Sequence, residues 1–343
     1  MDRPLSSPRT DEHRSGGAGR PPGRGGARRR APAAGGVAFA LTARRLLIVS
    51  GKGGVGKSTV AAALGVAAAR RGLRTVVAEI AGRGDVARML GVEAAKDLRE
   101  VEVYPGLCHV AIDRQSALEE YLRNEVPGPL PAAILAHSRA FQLFVDAAPG
   151  MGELLTIGKA WELGQRPRHN RGAVEYDLVV LDGPASGQLA GLLAAPRTFG
   201  AVARVGPVSR QGAAVDRMLT DPETTGVVAV ATPEQMAVSE TLCLRGALRS
   251  ELGIDLAAVI VNRAFPSRFT ARDMAALSAA PDDPAVRSAR WLHGRGQAQR
   301  AQLARLRKGL ADERLSTLPF LFTDAIGLDQ VEQLGDRLEH SLP

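Results

Sequence analysis

Lys52, Lys57, Ser58, Thr59 and Asp182 are the residues of this 343-residue chain whose types and placement could do chemistry. Four of them fall in one run, LLIVSGKGGVGKST, residues 46–59. An apolar segment runs into a glycine-rich turn, and an alanine-rich segment of helical character follows. The spacing G-x-x-x-x-G-K-S between a strand and a helix is that of a loop that wraps phosphate groups. Gly51, Gly53, Gly54 and Gly56 lack a Cβ, so the backbone through Val55 can turn its N–H groups inward onto phosphate oxygens. The helix starting near Ser58 and Thr59 aims its positive end at the same anion. Lys57 is placed to reach the β- and γ-phosphates, and the Ser58 hydroxyl to ligate Mg²⁺. Asp182 closes the apolar run Leu178–Leu181. A carboxylate at a strand tip beside such a loop holds Mg²⁺, usually through a water. The expected ligands are ATP and Mg²⁺, and the expected reaction is attack of water on the γ-phosphate.

Holding these groups together requires an α/β fold, a mostly parallel sheet flanked by helices, because ligands bind at the carboxyl ends of such strands. After the loop, TVAAALGVAAARRG reads as a helix closed by Gly72. Strands are expected at residues 74–80, within 97–112, at 178–181, 226–232, 256–263 and 316–322. Residues 115–165 read as a helical insertion of three helices, broken at Pro127, Pro129 and Pro131 and again at Pro149-Gly150. Its apolar stripe, with Phe141, Phe144, Leu154, Leu155 and Trp161, reads as core, and Lys159 as part of a solvated face. Residues 183–187 read as a compact loop. A helix initiated by Pro233 is expected through Arg249, a long arginine-rich helix over 285–311, and a closing helix ending at His340.

Composition sets further bounds. The chain is 45% hydrophobic but only 4% aromatic, so its core must be mostly Ala, Val, Leu and Ile. Net charge is +8, yet residues 1–30 alone carry eight arginines against Asp2, Asp11 and Glu12. Residues 1–42 therefore read as a disordered basic tail, and residues 43–343 as the folded domain. Because so much of the charge lies in that tail, nucleic acid is not an expected partner of the folded body. Cys108 and Cys243 form no C-x-x-C, which argues against a zinc clasp or a thioredoxin-like site, and both are expected as buried, unbridged thiols. His169 has no second His or Cys at ligand spacing. No apolar run approaches a transmembrane span, and no secretory h-region is present, so a cytoplasmic protein is expected.

A second lysine inside the loop, Lys52, narrows this picture. Only five lysines occur among 44 basic residues, and two of them stand in this loop. GKGGVGKST resembles the deviant Walker A of the ParA, MinD and ArsA superfamily. That resemblance implies that Lys52 crosses a dimer interface to the partner's nucleotide. Further likeness lies in LDGPASGQ, in the run from Ala148 to Lys159, in E-x-x-G-R-G from Glu79, and in residues 220–241. Together these resemble the ArsA-type ATPases, the arsenite-pump and tail-anchored-protein-targeting group, and within it the bacterial anion-transporting ATPase subgroup. The likeness spans about residues 43–340.

The resemblance implies a dimerising ATPase that hydrolyses ATP to switch a partner or cargo interaction. It implies pairing as a homodimer or with a related ATPase, and an unnamed cargo or membrane partner. It also implies that Asn262 hydrogen-bonds the adenine, that Pro319 lies near it, and that residues 81–86 and 182–188 are switches. Departures from the pattern are specific. Ile80 and Ala81 stand where the family's water-positioning aspartate is expected, so Glu79, with Asp85 as an outsider, is the candidate hydrolytic carboxylate. Gln188 stands where the family often has His. No C-x-x-C pair, methionine-rich segment after residue 192, second cassette or arsenite-binding cysteines are visible, so arsenite transport and tail-anchor capture are not implied. Two other readings stand beside the enzyme: a weakly active, nucleotide-gated subunit of a heterodimer, and a ParA-like DNA-segregation ATPase.

Overall fold

Near-continuous apolar runs along short strands dictate the architecture, because parallel strands buried on both faces need cover on both. The computed structural model describes residues 41–80, 84–94, 96–125, 138–139, 148, 150–170, 172–203, 207–310 and 313–340. The expected tail up to residue 40, Ala81, most of the middle helix of the insertion, and Phe141 and Phe144 lie outside the described residues. The strands are β1 (Leu46–Gly51), β2 (Thr75–Ile80), β3 (Val101–Tyr104), β4 (Leu107–Ile112), β5 (Leu178–Ala185), β6 (Thr225–Ala231), β7 (Leu256–Ala264) and β8 (Arg314–Pro319). They form one eight-stranded sheet in the order β3-β4-β2-β5-β1-β6-β7-β8. Among these strands only the β3–β4 pair is antiparallel.

The helices preceding β5 are α1 (Lys57–Arg70), α2 (Asp85–Met89), α3 (Arg114–Glu125) and α4 (Met151–Leu163). Those after it are α5 (Ser186–Ala203), α6 (Pro207–Thr220), α7 (Gln235–Ala247), α8 (Ala271–Ala279), α9 (Pro284–Gly309) and α10 (Leu328–His340). Leu47, Val49, Val77, Val180 and Val228 face α1 and α10 on one side of the sheet. Leu46, Ile48, Val76, Ala78 and Leu181 face α3 to α7 and α9 on the other. The small residues of α1 let it lie close against the strands: a Cβ on Gly65 would stand 2.6 Å from Val77 Cγ2. That closeness brings the start of α1 to the strand tips, where the site is.

Several expectations are corrected. Residues 97–112 form a hairpin of two strands rather than one strand, turned at Gly106 with φ 77°. Residues 183–187 are not a separate loop, because β5 runs on to Ala185 and α5 begins at Ser186. Cys243 is exposed rather than buried. Lys159 is the largest departure: its side chain is 5% exposed, with Nζ 2.7 Å from Glu120 Oε2 and 2.9 Å from Glu162 Oε2. Arg168 extends this buried network from Glu162 to Glu100, and Tyr176 donates its hydroxyl to Glu100 at 2.6 Å. A partnered cation of this kind fixes α4 against α3 instead of facing water. No helix among the described residues is long and apolar enough to cross a membrane.

Candidate active site

β1 ends between β5 and β6, and its last residue has no room for a side chain. A Cβ on Gly51 would stand 2.0 Å from the Val230 carbonyl oxygen. The chain therefore leaves the sheet there and turns through Lys52–Gly56 into α1. Gly56 holds φ 92°, the left-handed region, immediately before α1 begins at Lys57. A Cβ on it would meet Asn262 Nδ2 at 2.3 Å.

Asn262 lies buried under this turn. Its Nδ2 donates to Val55 O at 3.0 Å, and its Oδ1 accepts from the Arg263 amide at 2.9 Å. Arg263 Nη1 donates to Gly54 O at 3.2 Å. The end of β7 thus anchors the loop backbone, and the Asn262 amide expected on an adenine is engaged by the loop itself. Pro319 ends β8, in register with Ala264 of β7.

The polar groups expected to act together are together. Ser58 Oγ donates to Asp182 Oδ2 at 2.6 Å, although 124 residues separate them in sequence. Lys57 is 7% exposed and donates to Lys52 O at 3.4 Å. Asp182 sits in register with Val49 of β1 and Glu79 of β2, so strand pairing alone brings it to the loop. A hydroxyl and a carboxylate in contact are the hard oxygen donors that Mg²⁺ prefers, so these residues fit that ion. A cleft of about 420 Å³ opens beside them. Its walls are the loop with Lys57, Ser58 and Thr59, the helix α2 through Asp85 and Arg88, and Arg263 with Ile326. Gly53 and Gly54 have nothing within 4 Å of where a Cβ would stand, leaving that edge of the loop open.

Two of the sequence-predicted groups are held in unexpected ways. Glu79 is 2% exposed. Its Oε1 accepts from the Asp85 amide at 2.7 Å, and its Oε2 from the Val86 amide at 3.3 Å and from His109 Nε2 at 3.1 Å. Both oxygens face α2 and β4, not the cleft. Lys52 is held within its own chain, with Nζ 3.0 Å from Glu240 Oε2. The other Glu240 oxygen accepts from Ser186 Oγ in a short contact. That hydroxyl, followed by the Lys52 ammonium and against some burial, keeps the Glu240 carboxyl below the usual carboxylate range.

Glu240, which holds Lys52, His109, which holds Glu79, and Arg88, which lines the cleft, are residues that the sequence does not single out. His109 is a polar residue on an inward-facing position of an apolar strand, which is the available signal. Its meaning depends on knowing that β4 lies beside β2.

Comparison with known proteins agrees with this geometry. A family model described as anion-transporting ATPase matches residues 44–211 and 201–340. The ATPase BagA of Mycobacterium tuberculosis is 31% identical over 239 residues, spanning 68% of this chain and 69% of BagA. The arsenical pump-driving ATPase of Acidiphilium multivorum is 23% identical over 319 residues, spanning 87% of this chain and 50% of the pump protein.

Proposed function

The chain belongs to the anion-transporting ATPase family, and on that footing we propose that it binds Mg·ATP at the β1 loop, hydrolyses it to ADP and phosphate, and uses the cycle to switch pairing with a related subunit and a cargo. The observation that carries the reading is the Ser58–Asp182 contact at 2.6 Å, beside a loop that bears both Lys52 and Lys57. Residues 51–59 would cradle the phosphates. Their amides and the Lys57 ammonium would meet charge developing on the γ-phosphoryl group as water attacks, and they are oriented before the reaction begins. Mg²⁺, held by Ser58 and Asp182, would supply further neutralisation of the β- and γ-phosphate oxygens. Lys52 of a partner would complete the set once released from Glu240. Loss of the γ-phosphate would remove the contacts that hold the two switches, and the pair would separate.

The test is phosphate release from ATP by the purified full chain, with Lys57→Ala as control. Turnover that disappears in the variant supports the enzyme, and equal turnover in both overturns it. One observation favours a second reading. The Glu79 carboxylate is engaged away from the cleft, which suits a slow subunit whose related partner supplies the water-positioning group. Turnover that is weak alone and rises steeply on adding a second ATPase of this family would select that reading.

A further inference from the structure

We infer that Arg88 is a phosphate-binding cation of the β1 cleft, and that the buried pair Glu79–His109 is the device that positions it; this rests on the nucleotide-site reading above.

The helix that carries Arg88 has only five residues, Asp85–Met89. Helices shorter than about 12 residues do not hold themselves in water, so its placement must come from outside. Two attachments supply it. Glu79 receives the first two amides of the helix, from Asp85 at 2.7 Å and Val86 at 3.3 Å. Val86 and Met89 are buried in the core beside α1. With one end bonded to β2 and one face packed inward, the helix presents Asp85, Arg88 and Met89 to the cleft, and Arg88 is the cation among them; all three line it with Lys57, Ser58 and Thr59.

Burying a carboxylate is costly unless its charge is fully hydrogen-bonded. Glu79 gains its third bond from His109 Nε2 at 3.1 Å. A carboxylate only accepts, so Nε2 carries the proton. His109 Nδ1 has no partner among the described residues. The imidazole therefore serves Glu79 alone. The pair reaches Arg88 through the helix it holds.

Arg88 is available for a stronger partner. It pairs with Asp85 three residues away, and the two side chains are 71% and 32% exposed. Exposed pairs of this kind contribute little, so a polyphosphate can displace Asp85. The planar guanidinium presents paired donors that match phosphate oxygens.

The test is equilibrium binding of a fluorescent N-methylanthraniloyl ATP with Mg²⁺ to the full chain. Arg88→Ala should weaken binding about tenfold or more, the scale of a lost charged hydrogen bond. Arg88→Lys should recover part of the loss, because charge returns without the fork. Glu79→Gln should reproduce much of the loss although it touches no nucleotide. The double variant Glu79→Gln/Arg88→Ala should bind no worse than Arg88→Ala alone, because the first change acts only through the second residue. A residue with a merely structural role would instead give additive losses, and additivity overturns the positioning claim. If Glu79→Gln melts well below the parent, His109→Gln takes its place in the same cycle. Parent-like binding by Arg88→Ala while Lys57→Ala binds nothing overturns this inference and leaves the nucleotide site standing. Parent-like binding by Lys57→Ala removes the nucleotide site as well.

Discussion

Lys52 Nζ lies 3.0 Å from Glu240 Oε2, and the other oxygen of that carboxylate accepts from Ser186. The loop lysine, the start of α5 and the helix α7 therefore meet on one acidic side chain. A lysine expected to act on a partner's nucleotide is held by its own chain. Its side chain is 38% exposed and that of Glu240 33%, so the pair contributes under about 1 kcal/mol and is easily exchanged.

Glu240→Ala should lower the protein concentration at which Mg·ATP drives association, because Lys52 no longer has a partner to leave. Lys52→Ala should abolish association while nucleotide still binds. Sedimentation velocity with ATP, and with ADP as control, reads both. Parent-like association of Lys52→Ala would show that no partner phosphate depends on this lysine. The pH dependence follows from the direction of the Glu240 shift. A carboxyl held below its usual range stabilises above its unfolded value and loses that contribution as pH falls through the folded one. The association threshold should therefore stay level around neutral pH and change only in acid.

Asp182→Asn keeps the shape of the Ser58 contact but removes the charge that a divalent ion requires. Phosphate release should fall by about 10²-fold or more, the usual scale for losing one aligned electrostatic group. Ser58→Ala should raise the Mg²⁺ concentration needed for half-maximal turnover. Titrating Mg²⁺ at saturating ATP measures both. Unchanged Mg²⁺ dependence in either variant would remove these two residues from the metal site.

The P-loop and Asp182 are legible in the sequence because their signatures are local: glycines, a lysine and an apolar run are read from neighbouring positions. The parallel sheet is legible for the same reason. Partnerships set by long-range register are not. Glu79 reads as a cleft carboxylate because strand-end position is visible in sequence, whereas the donors to its two oxygens, the Asp85 and Val86 amides, depend on how the chain turns after β2. Lys159 reads as solvated because the helix period alone does not reveal that Glu120, 39 residues earlier, lies against it.

The network around Lys159 yields a stability prediction. Lys159→Met would leave Glu120 and Glu162 buried with one cation fewer. Removing one partner of a buried pair costs about 3–5 kcal/mol, and urea unfolding should show it. Burial alone would raise the Glu162 carboxyl, but the Arg168 hydrogen bond and the Lys159 charge outweigh it and hold the group below the usual carboxylate range. Its contribution is therefore present above its unfolded value and lost as pH falls through the folded one. The parent should lose stability in acid, and Lys159→Met should show a shallower acid loss. Equal slopes would mean that Lys159 is not what holds Glu162 ionised.

Asn262 separates two roles that the sequence alone does not separate. If it reads adenine, its loss should narrow the preference for ATP over GTP. The buried bond from Nδ2 to Val55 O at 3.0 Å gives it a different task, supporting the loop from below. Asn262→Ala leaves that carbonyl without its donor, at a cost of about 1–3 kcal/mol in unfolding free energy. It also opens space beneath Gly56, whose missing Cβ would stand 2.3 Å from Nδ2. A loosened loop holds every triphosphate less well. Affinities for ATP and GTP should therefore fall by the same factor, with their ratio unchanged. Competition of each nucleotide against a fluorescent analogue measures that ratio, and a collapse toward equal affinity would return Asn262 to base recognition.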